Sequence, residues 1–158
     1  MTETFVLRPA VMSDVPVLVR HRRLMFEDMA RLRSQTVALA QFDAMDLAYN
    51  RYVARSLGTS LFAWLIEVDR EAVASGAVVM LDLLPHYRNI SGRTPYLHSV
   101  YTAAGFRRKG YARRIVERAI LYCKQQGFQT LRLHASEEGR PLYTSLGFRD
   151  TNEMRLDW

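Results

Sequence analysis

Residues 96–134 constrain the fold more tightly than any other part of this chain. Ala112, Ile115, Val116, Ala119, Ile120 and Cys123 recur at i, i+3, i+4, i+7, i+8 and i+11. That spacing draws one apolar stripe down one long helix, and Gly127 ends it. Residues 96–103, rich in Tyr, Val and Thr, read as the strand before it, and residues 130–134 as the strand after it. A helix with a single apolar face between two strands lies flat on a sheet. Strand, right-handed crossover helix, strand is the natural connection, so the two strands are expected to run parallel.

The remaining elements arrange themselves around this unit. Residues 4–7 form a short first strand. Ser13-Asp14 supplies a helix cap and a first-turn acid, with Pro16 still in the first turn, where its missing N–H is harmless. Val15, Leu18, Val19, Phe26 and Met29 continue at helical spacing, and residues 36–57 form a second helical stretch closed by Gly58. Residues 61–68 and 72–83 are β-rich around the polar break Asp69-Arg70-Glu71, an antiparallel hairpin. Residues 85–94 are a loop. Residues 138–146 form a short helix whose start Pro141 delays, and residues 148–158 end in a strand with Met154, Leu156 and Trp158 alternating. The order β-α-α-β-β-β-α-β-α-β predicts an α/β fold: a mixed, mostly antiparallel central sheet flanked by helices. No linker or repeat divides the chain, so residues 1–158 form one domain.

Composition removes several function classes. At 158 residues, 49% hydrophobic and 24% charged, the chain can bury a core without staples and is neither collagen-like nor disordered. Cys123 is the only cysteine, so an intrachain disulfide and a cysteine zinc cluster are excluded. His21, His86, His98 and His134 show no metal-ligand spacing, and no metal is expected. The longest apolar run, residues 61–66, is too short to cross a bilayer. The opening MTETFVLRPA has no basic stretch before an apolar block, so a cytoplasmic setting is expected. The net charge of +6 and pI near 9.8 favour a polyanionic partner: nucleic acid, anionic lipid or a phosphorylated cofactor. Acids interleave the basic clusters at residues 20–33 and 107–114, and no RNA-recognition or zinc-finger signature is present. Specific nucleic-acid binding is therefore the lesser alternative.

The chemistry concentrates in VYTAAGFRRKGYARR, residues 100–114. A strand enters a turn, Arg107-Arg108-Lys109-Gly110-Tyr111-Ala112, and a long helix follows. The free N–H groups and positive end of a helix N-terminus make an anion site. Gly110 lets backbone approach a ligand closely, Ala112 leaves room, and three basic residues add charge. A pyrophosphate is the natural fit; the alternative is an ordinary βα turn with solvated basic residues. GxxxxGK[ST] and GxGxxG are both absent, which disfavours a P-loop and a Rossmann site.

Arg107-x-x-Gly110-x-Ala112, after a strand and opening a helix, resembles the acetyl-CoA signature R/Q-x-x-G-x-G/A of the GCN5-related N-acetyltransferases (GNAT). Leu142-Tyr143-Thr144-Ser145-Leu146-Gly147-Phe148 resembles that family's LY-x-x-x-GF ending, and the element order matches its fold across essentially the whole chain. The resemblance implies splayed fourth and fifth strands, acetyl-CoA as co-substrate, and direct acetyl transfer to a primary amine of a small molecule or peptide. It places Val100, Tyr101 and Thr102 along the thioester, and Arg107, Arg108, Lys109, Gly110, Tyr111 and Ala112 at the pyrophosphate. Ser136 stands where many members have Asn, and would meet the pantetheine arm. Arg108 stands where Gly is frequent and Ala104 where Pro is frequent. A non-catalytic CoA sensor on the same fold is the alternative.

The reaction asks for two proton transfers. Tyr143 occupies the family's thiol-protonating position; otherwise it is a half-buried aromatic anchor. His98, with an unperturbed pKa near ~6.5, suits a base at neutral pH. It shares strand parity with Tyr96, Val100 and Thr102, so these four are expected to face one side. Glu67, which interrupts an apolar strand, and a water chain are the other base candidates. Glu27, Asp28, Asp43 and Asp46 with Tyr49, Tyr52, His86 and Tyr87 suit a cationic acceptor; Arg20, Arg22, Arg23, Arg31 and Arg33 suit one bearing a carboxylate. The residues leave open the acceptor and whether two copies pair as a homodimer.

Overall fold

The computed structural model describes residues 4–158. Residues 1–3, at the head of the stretch read for a leader, lie outside them. The elements are β1 (Phe5–Pro9), a 3-10 turn (Met12–Asp14), α1 (Val15–Leu32), α2 (Leu39–Ser56), β2 (Leu61–Val68), β3 (Glu71–Asp82), β4 (Arg93–Thr102), a second 3-10 turn (Ala104–Phe106), α3 (Tyr111–Gln125) and α4 (Arg140–Ser145). The four strands pair antiparallel in the order β1-β2-β3-β4. No helix among the described residues is long and apolar enough to cross a membrane.

The sheet is covered on both faces, which is why β2 and β3 read as nearly unbroken apolar runs. Leu61, Ala63 and Leu65 of β2 pack with Val15 and Leu18 of α1 and with Tyr49 and Val53 of α2. The alternate residues Trp64, Ile66 and Val68 pack with Ile115, Val116, Ala119 and Cys123, the stripe of α3. Burial raises the Cys123 thiol pKa to about 11, so it behaves as a small apolar side chain. α1 is tied to the sheet at its start. Asp14 accepts from the Val11 N–H at 2.8 Å and from both ends of the Arg8 guanidinium at 2.7 and 2.9 Å, and Arg8 also holds Glu67 at 2.6 Å. The Arg8 hydrogen bonds keep the Asp14 carboxyl below the usual carboxylate range.

One irregularity positions everything that follows. Tyr101 stands opposite Ser75 and His98 opposite Ala77, so Ser99 and Val100 together face the single residue Gly76. This is a β-bulge, with Ser99 in the left-handed region at φ 54°. Gly76 makes it possible. A Cβ there would collide with Ile115 of α3, and Val100 Cγ2 closes in from the bulge at 3.4 Å. The bulge overturns the expectation that Tyr96, His98, Val100 and Thr102 share a face. His98 bonds Tyr49 of α2, whereas Val100 packs into the core beneath α3. An extra residue in a strand shifts the alternation of everything after it.

Two expected strands are not ladders. Residues 130–134 make a single parallel bridge, Tyr96 to Arg132. The Leu97 N–H donates to Arg132 O at 2.8 Å and the Arg132 N–H to Pro95 O at 3.1 Å. Pairing stops there because β4 bends at its bulge two residues later. The two segments therefore splay, as the fold class implies. Residues 148–158 form no strand either: a strand needs a neighbouring edge, and the shortened fifth strand presents none. Met154, Leu156 and Trp158 are exposed. The short last helix begins late, with Pro141 in its first turn.

Candidate functional site

Beyond Leu97, the outer edge of β4 carries no backbone hydrogen bond to any described residue. Val100, Tyr101 and Thr102 line this open edge from inside the bend. Tyr101 packs its ring 4.9 Å from His21 of α1, and Thr102 keeps a buried Oγ1 without a partner. Buried hydroxyls are almost always bonded, so the Thr102 Oγ1 is an exception beside this open edge.

The chain then turns into α3. Arg108 (φ 65°) and Gly110 (φ 82°) both adopt left-handed backbone, which explains why glycine is frequent at the position of Arg108 in the family resembled. Gly110 is the N-cap of α3 and brings no side chain to cap the helix. A Cβ at Gly110 would meet nothing within 4 Å, so the space in front of the helix start is open. The side chains around this turn diverge. Tyr111 is buried, its ring edge-on to Phe5 at 5.6 Å. Lys109 lies 5.0 Å over the Phe106 ring. The Arg107 Nε donates to Thr102 O at 3.0 Å and its guanidinium pairs with Asp28 of α1. Arg108 and Ala112 remain at the turn surface, half-buried or more exposed. What the turn offers an anion is thus mainly backbone N–H and helix dipole.

α4 closes the third side. Gly147, at φ 92°, ends it in a left-handed turn, and Phe148 N–H donates back to Tyr143 O at 3.0 Å. The Phe148 ring then lies edge-on to Tyr143 at 5.7 Å, which is the physical content of the GF ending. Gly139 lets the Tyr143 ring settle: a Cβ there would stand 2.9 Å from its Cε2. Arg113 of α3 donates to Ser145 Oγ at 2.6 Å and fixes α4 against the anion turn. The Tyr143 hydroxyl makes no hydrogen bond to a described residue, and burial raises its pKa above the usual 10.0. Ser136 accepts from the Gly139 N–H at 3.1 Å and so shapes the loop that delivers α4.

On the opposite face, His98 Nε2 lies 3.2 Å from the Tyr49 hydroxyl, and its Nδ1 is buried without a hydrogen bond. Burial, and then the Arg22 charge, lower its pKa to about 4, so the ring is neutral at pH 7. Glu67 is separated from β4 by β3 and held by Arg8. His86 and Tyr87 meet edge-on at 6.1 Å in the exposed loop before β4. A groove of about 330 Å³ between the end of α1 and the start of α2 is lined by Phe26, Met29, Phe42 and Met45.

Sequence reasoning set Arg22 among five arginines suited to a carboxylate without singling it out. Its guanidinium lies against the rings of Phe26 (4.9 Å) and Tyr49 (4.6 Å), and Nη1 donates to Ser99 Oγ at 2.7 Å. The signal was available: Leu18, Arg22 and Phe26 stand four apart, so Arg22 interrupts the inward stripe of α1.

The family model for the acetyltransferase (GNAT) family matches residues 26–148, which spans the bulge, the anion turn and α4. The chain belongs to the GNAT acetyltransferase family. The solved structures agree with this membership. A GCN5-related N-acetyltransferase from Ralstonia eutropha JMP134 superimposes with a TM-score of 0.85 at 24% identity, covering 98% of this chain and 99% of that one. A predicted acetyltransferase with acetyl-CoA from Clostridium acetobutylicum gives 0.81 at 28% identity, covering 98% and 96%. Glucosamine-6-phosphate N-acetyltransferase from Arabidopsis thaliana gives 0.65 at 21%, covering 99% of both chains. No curated protein sequence matches significantly. GNAT enzymes use acetyl-CoA, and the site fits it: the start of α3, capped only by Gly110, suits the pyrophosphate, and the β4 edge left unpaired beyond Leu97 suits an extended arm. Among the described residues no cluster of His, Cys, Asp or Glu could hold a metal.

Proposed function

We propose that this GNAT protein is an N-acetyltransferase, moving the acetyl group of acetyl-CoA directly to a primary amine of a small molecule or peptide. The reading is carried by the edge of β4, left unpaired beyond Leu97 where residues 130–134 part from it, and is supported by the glycine-capped start of α3 and a Tyr143 hydroxyl that bonds no described residue. The thioester supplies an activated acetyl carbon. In net terms a nitrogen–carbon bond forms, the carbon–sulfur bond breaks, and the proton lost by nitrogen is matched by one gained at sulfur.

The N–H groups of residues 108–112 hold the pyrophosphate, with Arg108 and Lys109 adding charge. Backbone groups of Val100, Tyr101 and Thr102 orient the acyl end, and Ser136 supports the loop beside it. Tyr143 Oη holds a proton that its raised pKa keeps in place, ready for the leaving sulfur. His98 is the base candidate on the acceptor face. Burial and the Arg22 charge lower its pKa to about 4, so its ring is neutral and has a site for a proton at pH 7, with the Tyr49 hydroxyl 3.2 Å away, but it is a weaker base than a free imidazole. The exposed run Met154, Leu156, Trp158 supports a homodimer in which a second copy covers it.

Gly110 tests the cofactor half. CoA and acetyl-CoA raise the melting temperature, because a ligand of the native state stabilises it by mass action. Gly110→Asn tolerates φ 82° but puts a side chain into the open space before α3, so it should still fold while CoA affinity falls about tenfold or more, the loss of one to two charge-assisted bonds. Wild-type affinity in this variant would move the cradle elsewhere. Formation of an acetylated amine from acetyl-CoA, read by mass spectrometry, tests the transfer half.

A further inference from the structure

The acceptor face of the cleft holds an imbalance of charge. Its carboxylates are already paired. Arg23 holds Glu27, Asp43 and Asp46 at 2.8, 2.8 and 2.7 Å, and Asp28 meets Arg31 at 2.8 Å as well as Arg107. Asp46 keeps one buried oxygen without a hydrogen bond, but Arg23 already answers its charge. A cationic acceptor would find no free anion among these four.

Arg22 is the opposite case. It projects from the inner side of α1 toward the β4 bulge, flanked by the Phe26 and Tyr49 rings. Its one hydrogen bond to a described residue is Nη1 to Ser99 Oγ, and no described carboxylate lies within salt-bridge distance. Nε is shut off from solvent and has no partner. Burial pulls the guanidinium pKa down, the direction expected of a cation short of counter-charge. Arg22 is part-buried, and a cation drawn partly out of water with no anion beside it is costly unless something else answers it. His98 and Tyr49, its neighbours, are neutral and do not repel an anion. The planar guanidinium fork matches a carboxylate.

We infer that the acceptor is an amine that also carries a carboxylate, and that Arg22 binds this carboxylate in the cleft between α1, α2 and the bulge of β4. The inference rests on the acetyl-transfer reading and narrows its acceptor to the amino-acid class. Arg22 then sets specificity: it fixes one end of the acceptor so that the amine at the other end meets the open edge of β4.

Matched probes separate charge from shape. With CoA saturating, melting temperature and calorimetry are read for each standard L-amino acid and its amide, 4-aminobutyrate and its amide, and spermidine. Wild-type protein should bind at least one acid and reject its amide and spermidine. Arg22→Gln should weaken that acid about 10–100-fold, the worth of charge-assisted hydrogen bonds, and leave the CoA shift intact, which certifies the fold. Arg22→Lys, keeping the charge without the fork, should recover part of the loss. Equal response to acid and amide, preference for spermidine, no response to any acid, or wild-type acid binding by Arg22→Gln would each overturn the inference. Acid binding that depends on Arg22 but releases no thiol from acetyl-CoA would uphold the Arg22 pairing and count against acetyl transfer.

Discussion

Replacing Tyr143 with Phe should lower kcat by ~10²–10⁴, the usual worth of a positioned general acid. The ring would keep its contacts. Gly139 still leaves it room, Phe148 still packs edge-on at 5.7 Å, and the hydroxyl bonds no described residue. Melting temperature and CoA affinity should therefore hardly change. That combination is informative because the loss then belongs to the proton rather than to the fold. Full activity in Tyr143→Phe would reduce the residue to packing and favour a non-catalytic CoA sensor. A loss of activity that tracks a loss of folded protein would give the hydroxyl a structural part instead.

Mild acid should destabilise the protein by several kcal/mol well before carboxylates titrate. His21 and His98 are both held neutral, chiefly by burial, with pKa values lowered to about 4. His21 lies in the core with Nδ1 2.9 Å from Ser75 Oγ. In the unfolded chain each takes a proton as pH falls below ~6.5. The unfolded state then binds more protons than the native one, so stability is present above pH ~6.5 and drains away down to about pH 4. Each histidine contributes up to ~1.4 kcal/mol per pH unit. Unfolding free energy from urea titrations should drop by ~3–4 kcal/mol between pH 7 and pH 5, a large part of an ordinary domain's stability. His21→Gln should halve the slope over that interval. A flat profile in the wild type would show that these rings are already solvated.

What the sequence made legible was local. The α3 stripe, the turn that leads into it and the late start at Pro141 depend on neighbours within a few residues, and all stand where spacing and turn chemistry put them. β2 could be read to its ends because both its faces are covered, so its apolar run had no gaps. What stayed hidden depends on residues distant in sequence. The bulge at Ser99 needs Gly76 on the next strand and Ile115 on α3 to close over it. That one inserted residue moved Val100 to the face opposite His98 and cut the fifth strand to a single bridge. Arg107 reads as a phosphate ligand within its motif, yet its side chain reaches Asp28, 79 positions earlier. Residues 148–158 alternate like a strand, but alternation specifies a face and not the neighbour that must pair with it.

A crystal structure of the complex with CoA would decide where the cofactor lies. The expected result has the pyrophosphate on the N–H groups of residues 108–112, the arm along Val100, Tyr101 and Thr102, and the sulfur within hydrogen-bonding reach of Tyr143 Oη. CoA bound elsewhere, or bound here with its sulfur turned away from Tyr143, would contradict the assignment of this cleft and of the proton donor within it.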